Sequence, residues 1–361
     1  MTDRPAPGPL NLLTDVAGLS VGNAQDETAR TGVTLILPHA FARAAVDVRG
    51  GGPGTRETEA LAPENQVGGV HALVLSGGSA LGLGAADAVA AALSASGRGL
   101  AVHPEHPPVP IVPAAILYDL GPHSRAAFAA EGDPPHPRLA RAALAAADAG
   151  SGGRFALGSV GAGRGANAGA LKGGLGSASM VLPGMAADGG PLTVAALVAV
   201  NPVGAVTMPG SRVFWAWPFE QEIDGRPEFG GLRPEPDWRP SAEPFPAESR
   251  FAGPPPPPGG ATAIGVVATD ADLGTAECLR LAMMGQDGYA RAIRPSHSPM
   301  DGDTVFGLAT GRAALGEGRG RLRALAALGA AAADCVARAV ARGAFEATSA
   351  PGERPAWRDL A

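Results

Sequence analysis

The stretch Pro254-Pro-Pro-Pro-Pro-Gly-Gly260 followed by Ala261-Thr-Ala-Ile-Gly-Val-Val-Ala-Thr-Asp270 joins two kinds of chain with nothing between them. The prolines fix φ and carry no N–H, so the first part favours extended, solvated backbone. The second part is apolar and β-branched at consecutive positions, which reads as a strand covered on both faces. No helix or cap separates them. An interdomain linker is one reading of such a junction. The other is chemical. The hydroxyl of Thr262 sits where loose chain enters rigid sheet, and it can attack the carbonyl of the small residue before it, Ala261, if the upstream chain bends away. The α-amine so released, with a reference pKa of roughly 7.7–8.0, can act as base for its own hydroxyl near neutral pH. Taken alone, a Thr at a strand start is more often structural, because β-branched side chains suit strands.

Upstream of the junction, Phe219–Ala261 is rich in prolines and acidic residues, so a solvated tether with few groups to bury is expected there. Elsewhere Val33–Leu37, Ala72–Leu75, Val194–Val200, Ala263–Thr269 and Val305–Ala309 read as strands. Helical patterns lie over Ser79–Leu93, with Ser79 as N-cap, and over Arg138–Ala147 and Thr275–Gly285. Arg321–Arg342 places Leu322, Leu325, Ala332, Val336 and Val340 along one stripe, the mark of a packing helix. Strands mixed with helices imply a layered α/β protein.

With 361 residues, 45% of them hydrophobic and only 17% charged, the chain can bury one large core or two ordinary ones. A net charge of -6 without a Lys/Arg run gives no footprint for nucleic acid. No stretch reads as a membrane span, since charges interrupt the longer apolar runs. Met1–Leu10 is polar and lacks the apolar segment of a secretory signal, and Cys278 and Cys335 are too few for a disulfide framework, so a cytoplasmic protein is expected. The 53 glycines and 35 prolines, in a chain this apolar, point to tight turns and close backbone approach rather than disorder. The seven His lack metal-ligand spacing. Gly161-x-Gly163-x-Gly165 and Gly82-x-Gly84 are incomplete dinucleotide fingerprints, and no P-loop occurs. Neither a metal nor a cofactor is expected.

A consecutive set of motifs then carries a resemblance. Val266-Val-Ala-Thr-Asp-Ala271, Tyr289-Ala-Arg-Ala-Ile-Arg-Pro295, Ser296-His-Ser298 and Asp301-Gly-Asp-Thr-Val-Phe306 resemble the C-terminal part of the DmpA-type N-terminal-nucleophile hydrolases. That family includes L-aminopeptidase/D-esterases, β-peptidyl aminopeptidases and nylon-oligomer endo-hydrolases. Leu13-Thr-Asp-Val-Ala-Gly-Leu-Ser-Val-Gly22 resembles its opening strand-turn, and Val48-Arg-Gly-Gly-Gly-Pro-Gly-Thr-Arg-Glu57 and Leu75-Ser-Gly-Gly-Ser-Ala-Leu-Gly82 its Gly-rich loops. Gly163-Arg-Gly-Ala-Asn-Ala-Gly-Ala-Leu-Lys-Gly-Gly174 and Val200-Asn-Pro-Val-Gly204 resemble its central motifs. The matches run in order along nearly the whole chain, leaving out mainly the tether and the C-terminal tail.

The resemblance implies a four-layer αββα sandwich of two sheets between helix layers, an α+β form of the α/β class. It implies one catalytic domain over residues 1–361, cut into Met1–Ala261 and Thr262–Ala361 fragments that stay associated, and a homo-oligomer, typically a tetramer. Thr262 would be the nucleophile, acting on a small peptide or short amide with an unblocked amine, with no nucleic acid or membrane as partner. Lys172, the only lysine of the chain, matches the site lysine of the nylon-oligomer branch; its ammonium would lower the pKa of the Thr262 amine or polarise the substrate carbonyl, and otherwise it is a solvated lysine. Asn201 matches an oxyanion or orienting amide, against the reading of a turn residue before proline. Tyr118, in Pro113-Ala-Ala-Ile-Leu-Tyr-Asp119, would be a phenol donating to the oxyanion, against a buried Tyr.

Asp301 and Asp303 could orient the Thr262 amine or hydroxyl, or simply form the turn that Asp-Gly favours; a Ca²⁺ loop lacks its further acidic ligands. Gly77, Gly78 and Ser79 could offer backbone N–H groups to an oxyanion or make a tight turn. His297 is expected to shape the pocket rim. Ala261 departs from the Asn that tends to precede the nucleophile in the Thr branch. Two other functions remain open from sequence: an acyltransferase of the ornithine acetyltransferase type, whose fold is related, and a non-catalytic binding protein that keeps the fold.

Overall fold

Side chains of the strand that begins at Thr262 alternate between two cores, as a pleated strand requires. Ile264, Val266 and Ala268 enter a core between two sheets, whereas Ala263, Val267 and Ala271 enter another beneath helices. The computed structural model describes residues 4–150, 153–240, 243–253 and 260–360, so the run 254–259 of the junction lies outside the described residues.

Along the chain come β1 (Leu19–Asp26), β2 (Thr31–Pro38), β3 (Ala42–Val48), the short β4 (Thr55–Arg56) and β5 (Gly69–Val70), and β6 (Leu73–Ser76). Helix α1 (Gly84–Ala95), strand β7 (Ala114–Ile116) and helices α2 (Pro122–Glu131) and α3 (His136–Ala149) follow. A small ladder, β8 (Asn167–Ala168) with β9 (Leu171–Lys172), precedes β10 (Leu175–Leu182) and β11 (Leu192–Asn201). The hairpin β12 (Glu222–Ile223) and β13 (Arg226–Pro227) is followed by β14 (Thr262–Ala271), α4 (Thr275–Ala292), β15 (Thr304–Ala313) and α5 (Gly318–Phe345). One sheet has the order β1-β2-β6-β7-β4 and the other β10-β11-β14-β15-β3-β5. Helices α1 and α3 cover the outer face of the first, α4 and α5 that of the second, and the two inner faces share one core. These are the four αββα layers expected from sequence.

In the six-stranded sheet every pairing is antiparallel except that of β14 with β15, which α4 connects as a crossover. Their register sets Ile264 against Thr304, so both strands start at the same edge and Thr262 comes level with Gly302. The oppositely running β11 ends there too, with Asn201 opposite Thr262. This edge gathers the site.

Several expectations need correction. Ser79 does not cap an α-helix; it sits at φ +53 and opens the 3-10 turn Ser79–Leu83, and α1 begins only at Gly84. Leu322 is 67% exposed, because the first turns of α5 project past the sheet, while Ala332, Val336 and Val340 are buried. By length and composition α5 could cross a membrane, a stretch the sequence reading passed over; here most of it is buried against the six-stranded sheet and α4. The segment after Phe219 is largely exposed among its described residues, as expected of a tether, but it docks around Glu228. Glu228 and Phe229 are buried, and Glu228 Oε1 meets Arg338 Nη2 of α5 at 2.6 Å with both side chains fully covered. An acidic residue there has found a buried cation, which makes docking of the segment favourable. Burial opposes the charge, yet the Arg338 guanidinium holds the Glu228 carboxyl below the usual range. Arg338 also donates to Ser179 O at 2.9 Å and to Asn11 Oδ1 at 2.8 Å.

Removing one member of this pair strands the other. Arg338→Met is expected to cost about 3–5 kcal/mol, read as a lowered Tm, whereas Arg338→Met combined with Glu228→Leu should recover most of the loss. A double variant no more stable than the single one would contradict the assignment.

Candidate active site

Thr262 is 2% exposed, and its Oγ–H donates to the carbonyl oxygen of Ala261 in a short contact. The same oxygen accepts the N–H of Gly302 at 3.1 Å, and Ala261 bridges to Asp301 in parallel sense. One carbonyl thus lies between a hydroxyl able to attack it and a backbone donor able to hold charge on its oxygen. A Cβ on Gly302 would fall 2.9 Å from Thr262 Oγ and 2.7 Å from the Gly52 carbonyl, so this approach requires glycine. Ala261 is fully buried, in accord with a small residue.

Both aspartates flanking Gly302 are buried and fully engaged. Asp303 Oδ1 accepts the Ala263 N–H at 2.8 Å; its Oδ2 accepts the His297 N–H at 2.9 Å and lies 2.9 Å from His297 Nδ1. Asp301 Oδ1 accepts the Val203 N–H at 3.0 Å, and its Oδ2 accepts the N–H and Oγ–H of Ser298 at 3.2 and 2.5 Å. Burial, and then the charge of Asp303, push the Asp301 carboxyl up to about 6. The first Gly-rich loop wraps the motif: Arg49 and Gly50 donate to the Asp303 carbonyl and Gly52 to that of Asp301. With Ala261 joined to Thr262, the carboxylates position the residues around Thr262 and do not bond to it.

Asn201 is likewise committed. Its Nδ2 donates to the Tyr118 carbonyl at 3.0 Å, and its Oδ1 accepts the Asn167 N–H at 2.9 Å and Arg250 Nη2 at 2.7 Å. In this arrangement its amide orients neighbours and offers no free donor to an oxyanion. Arg250 ties the upstream chain to the same point, with Nη1 on the Gly260 carbonyl at 3.0 Å and Nη2 also on the Asn167 carbonyl. Burial and the nearby Arg354 lower its pKa to about 10, which leaves it charged at neutral pH.

Beside Arg250 opens a cleft of about 560 Å³ lined by Tyr118, Asp119, Asn167, Arg250, Gly260 and Arg354, among others. A smaller one of about 210 Å³ shares Asp119, Asn167 and Arg354 and reaches Lys172. Lys172 is buried, donating from Nζ to the carbonyls of Arg164 at 2.8 Å and Ala166 at 3.2 Å, with Glu353 at 3.8 Å. Burial lowers its pKa to about 8, against the opposing pull of Glu353. Its link to Thr262 is indirect: β9 pairs Lys172 with Asn167, which bonds Asn201. The Gly77–Ser79 turn spends its donors within the protein, on Gly32 O, Asp119 Oδ1 and Leu117 O. It therefore holds Asp119 in place and does not present N–H groups to an oxyanion. Burial raises the Asp119 carboxyl to about 6.

Of the residues singled out in the sequence, Ala261, Thr262, Asn201, Asp301 and Asp303 converge; Tyr118 and Lys172 line the neighbouring clefts, and Gly77, Gly78 and Ser79 stand behind them. Arg250 was missed, since it lies in a stretch without periodicity, and Asp119 was passed over beside Tyr118. The C-terminal tail was also set aside, although Glu353 pairs with Arg164 at 2.7 Å and Pro355 O accepts the Lys172 N–H at 2.9 Å. For Gly302 the Asp-Gly-Asp motif itself was the signal.

Comparison with known proteins adds three kinds of likeness. The model of Peptidase family S58 matches residues 11–356. An uncharacterized aminopeptidase of Mycobacterium bovis is 41% identical, over 97% of this chain and 98% of its own length. A 6-aminohexanoate-oligomer endohydrolase of Kocuria sp. is 32% identical, over 90% of this chain and 84% of its own. Among solved structures, a Burkholderia sp. beta-aminopeptidase superposes with a TM-score of 0.67 at 24% identity, over 99% of this chain and 94% of that one. The l-aminopeptidase d-ala-esterase/amidase of Ochrobactrum anthropi, a variant among the Ntn hydrolase fold, gives a TM-score of 0.67 at 22% identity, over 96% of this chain and 89% of that one.

Asp301 gives this site a pH signature. Its carboxyl titrates near 6 when folded, against 3.8 for the free group, so the folded state holds the proton more tightly. The stability this confers is complete below about 4 and is lost as pH rises through about 6. Tm measured from pH 4 to 7 should therefore decline less in Asp301→Asn than in the wild type, and parallel curves would contradict the assignment.

Proposed function

We propose, for a chain that belongs to peptidase family S58, that it is a self-processing amide hydrolase whose nucleophile is Thr262. Hydrolysis of amide bonds is the activity of the family. The observation that carries the proposal is the meeting of Thr262 Oγ and the Gly302 N–H on the Ala261 carbonyl. In the self-cut, Thr262 Oγ bonds to the Ala261 carbonyl carbon and charge gathers on the oxygen that Gly302 holds. The C–N bond breaks, the hydroxyl proton ends on the new amine, and an ester joins Ala261 to Thr262 Oγ. Water hydrolyses it, leaving an Ala261 carboxylate and a free Thr262 amine.

Catalysis repeats the chemistry on an incoming amide. The Thr262 amine takes the hydroxyl proton, Oγ attacks the substrate carbonyl, and the leaving amine receives that proton; water then resolves the acyl-enzyme. Asp303, through Ala263, and Asn201, across the strand, keep Thr262 in register. Lys172, Asp119 and Tyr118 lie on the substrate side. The hydrolase names of the relatives favour water over an amine as acyl acceptor. Aminopeptidase and oligomer endohydrolase names together support peptides or amino-acid oligomers with an unblocked amine.

Thr262→Ala should run as one chain on a denaturing gel and lose hydrolysis of aminoacyl amides. Thr269→Ala, whose hydroxyl donates to Thr193 O at 2.7 Å and accepts the Ala271 N–H at 3.2 Å, should be cut normally and merely melt earlier. Normal turnover in Thr262→Ala would refute the mechanism. Gly302→Ala keeps the N–H but adds a Cβ 2.9 Å from Thr262 Oγ, and the displacement should slow the self-cut by about 10²-fold, followed as fragment appearance in freshly synthesised protein; unchanged processing would contradict the close approach of Gly302 to Thr262.

A further inference from the structure

Two guanidiniums, those of Arg250 and Arg354, line the larger cleft with a single carboxyl, that of Asp119, and the charge of Arg354 lowers the pKa of Arg250. Among the described residues neither has a carboxylate within ion-pair distance. Of the acids nearby, Glu353 is held by Arg164 at 2.7 Å, Arg30 at 3.6 Å and Lys172 at 3.8 Å. Asp119 takes the Gly78 N–H on Oδ1 and keeps a buried Oδ2 without a hydrogen-bond partner, while Asp301 is held by Val203 and Ser298. Arg250 Nη1 and Nη2 are spent on Gly260, Asn167 and Asn201, while its buried Nε–H has no acceptor. Arg354 is exposed in the C-terminal tail, and among the described residues no hydrogen bond or ion pair engages its side chain. Like charges on one wall, with a donor left over, are stable only if water or an anion compensates them. The planar fork of a guanidinium suits a carboxylate best.

We infer that Arg250 and Arg354 form a carboxylate subsite, which receives the terminal carboxylate of a short peptide or amino-acid oligomer lying in the cleft. The inference rests on the hydrolase reading for the orientation of that ligand toward Thr262. Gly260 lines the same cleft, one residue from Ala261, so the cleft adjoins the junction at Thr262. The tail residue Arg354 then sets specificity: substrates ending in a free carboxylate are preferred over their amides.

The test is binding, not turnover, so it stands or falls separately from the hydrolase reading. Full-length Thr262→Ala protein is titrated calorimetrically at low salt with N-acetylalanine and with N-acetylalaninamide. The acid is expected to bind about tenfold tighter, and Arg354→Gln in the same background should erase the difference. Because Arg354 is exposed, that change should leave the fold intact, and an unaltered Tm checks it. A second pair of ligands, the α-amides of N-acetylaspartate and N-acetylasparagine, carries the charge on a side chain. A preference confined to this second pair overturns the terminal-carboxylate assignment. So does equal or undetectable binding of N-acetylalanine and its amide, or a preference that survives Arg354→Gln.

Discussion

The parallel pairing of β14 with β15 is the constraint on which the site depends. An all-antiparallel sheet would start adjacent strands at opposite edges. Here the crossover through α4 brings the start of β14 beside the start of β15, with Ile264 against Thr304, and the two residues ahead of each become neighbours. The Ala261 carbonyl, the hydroxyl after it and the Gly302 N–H meet for that reason. A register slip by one residue would turn Thr262 to the other face and break the arrangement. Consecutive apolar positions on both faces of β14 oppose any such slip.

A cut at Ala261–Thr262 need not loosen this framework. β14 pairs with β11 and β15 with β3, so the chain after the junction is central to a sheet whose flanks come from the chain before it. The Glu228–Arg338 pair adds a buried charge contact across the same divide. Losing one bond where Arg250 already anchors Gly260 releases an end without releasing a layer. Buried charges are costly unless paired, and the pairs here lie where upstream and downstream segments must stay together.

Much of this was legible in the sequence. The strand after the Pro/Gly run follows from local patterns, whereas the αββα layering and the grouping of Thr262, Asn201, Asp301 and Asp303 were implied by the family resemblance that the ordered motifs carry. What escaped depends on contacts between distant segments. Nothing near Arg250 tells that its guanidinium will reach Asn201, and nothing near Glu228 tells of Arg338; low hydropathy and prolines made both look solvated. The Gly77–Ser79 turn has the composition of an oxyanion loop, but donor orientation is set by Gly32, Asp119 and Leu117, which only the fold brings close. Asn201 lies opposite Thr262, but Tyr118 and Arg250 take up the amide groups expected to face an oxyanion.

The central claim is that a strand-borne hydroxyl severs the chain before it and so makes its own base. Intact-mass spectrometry of freshly purified, fully active wild-type protein under denaturing conditions tests it most directly. The account requires two polypeptides, the smaller beginning at Thr262. A single unbroken chain carrying full activity would contradict it.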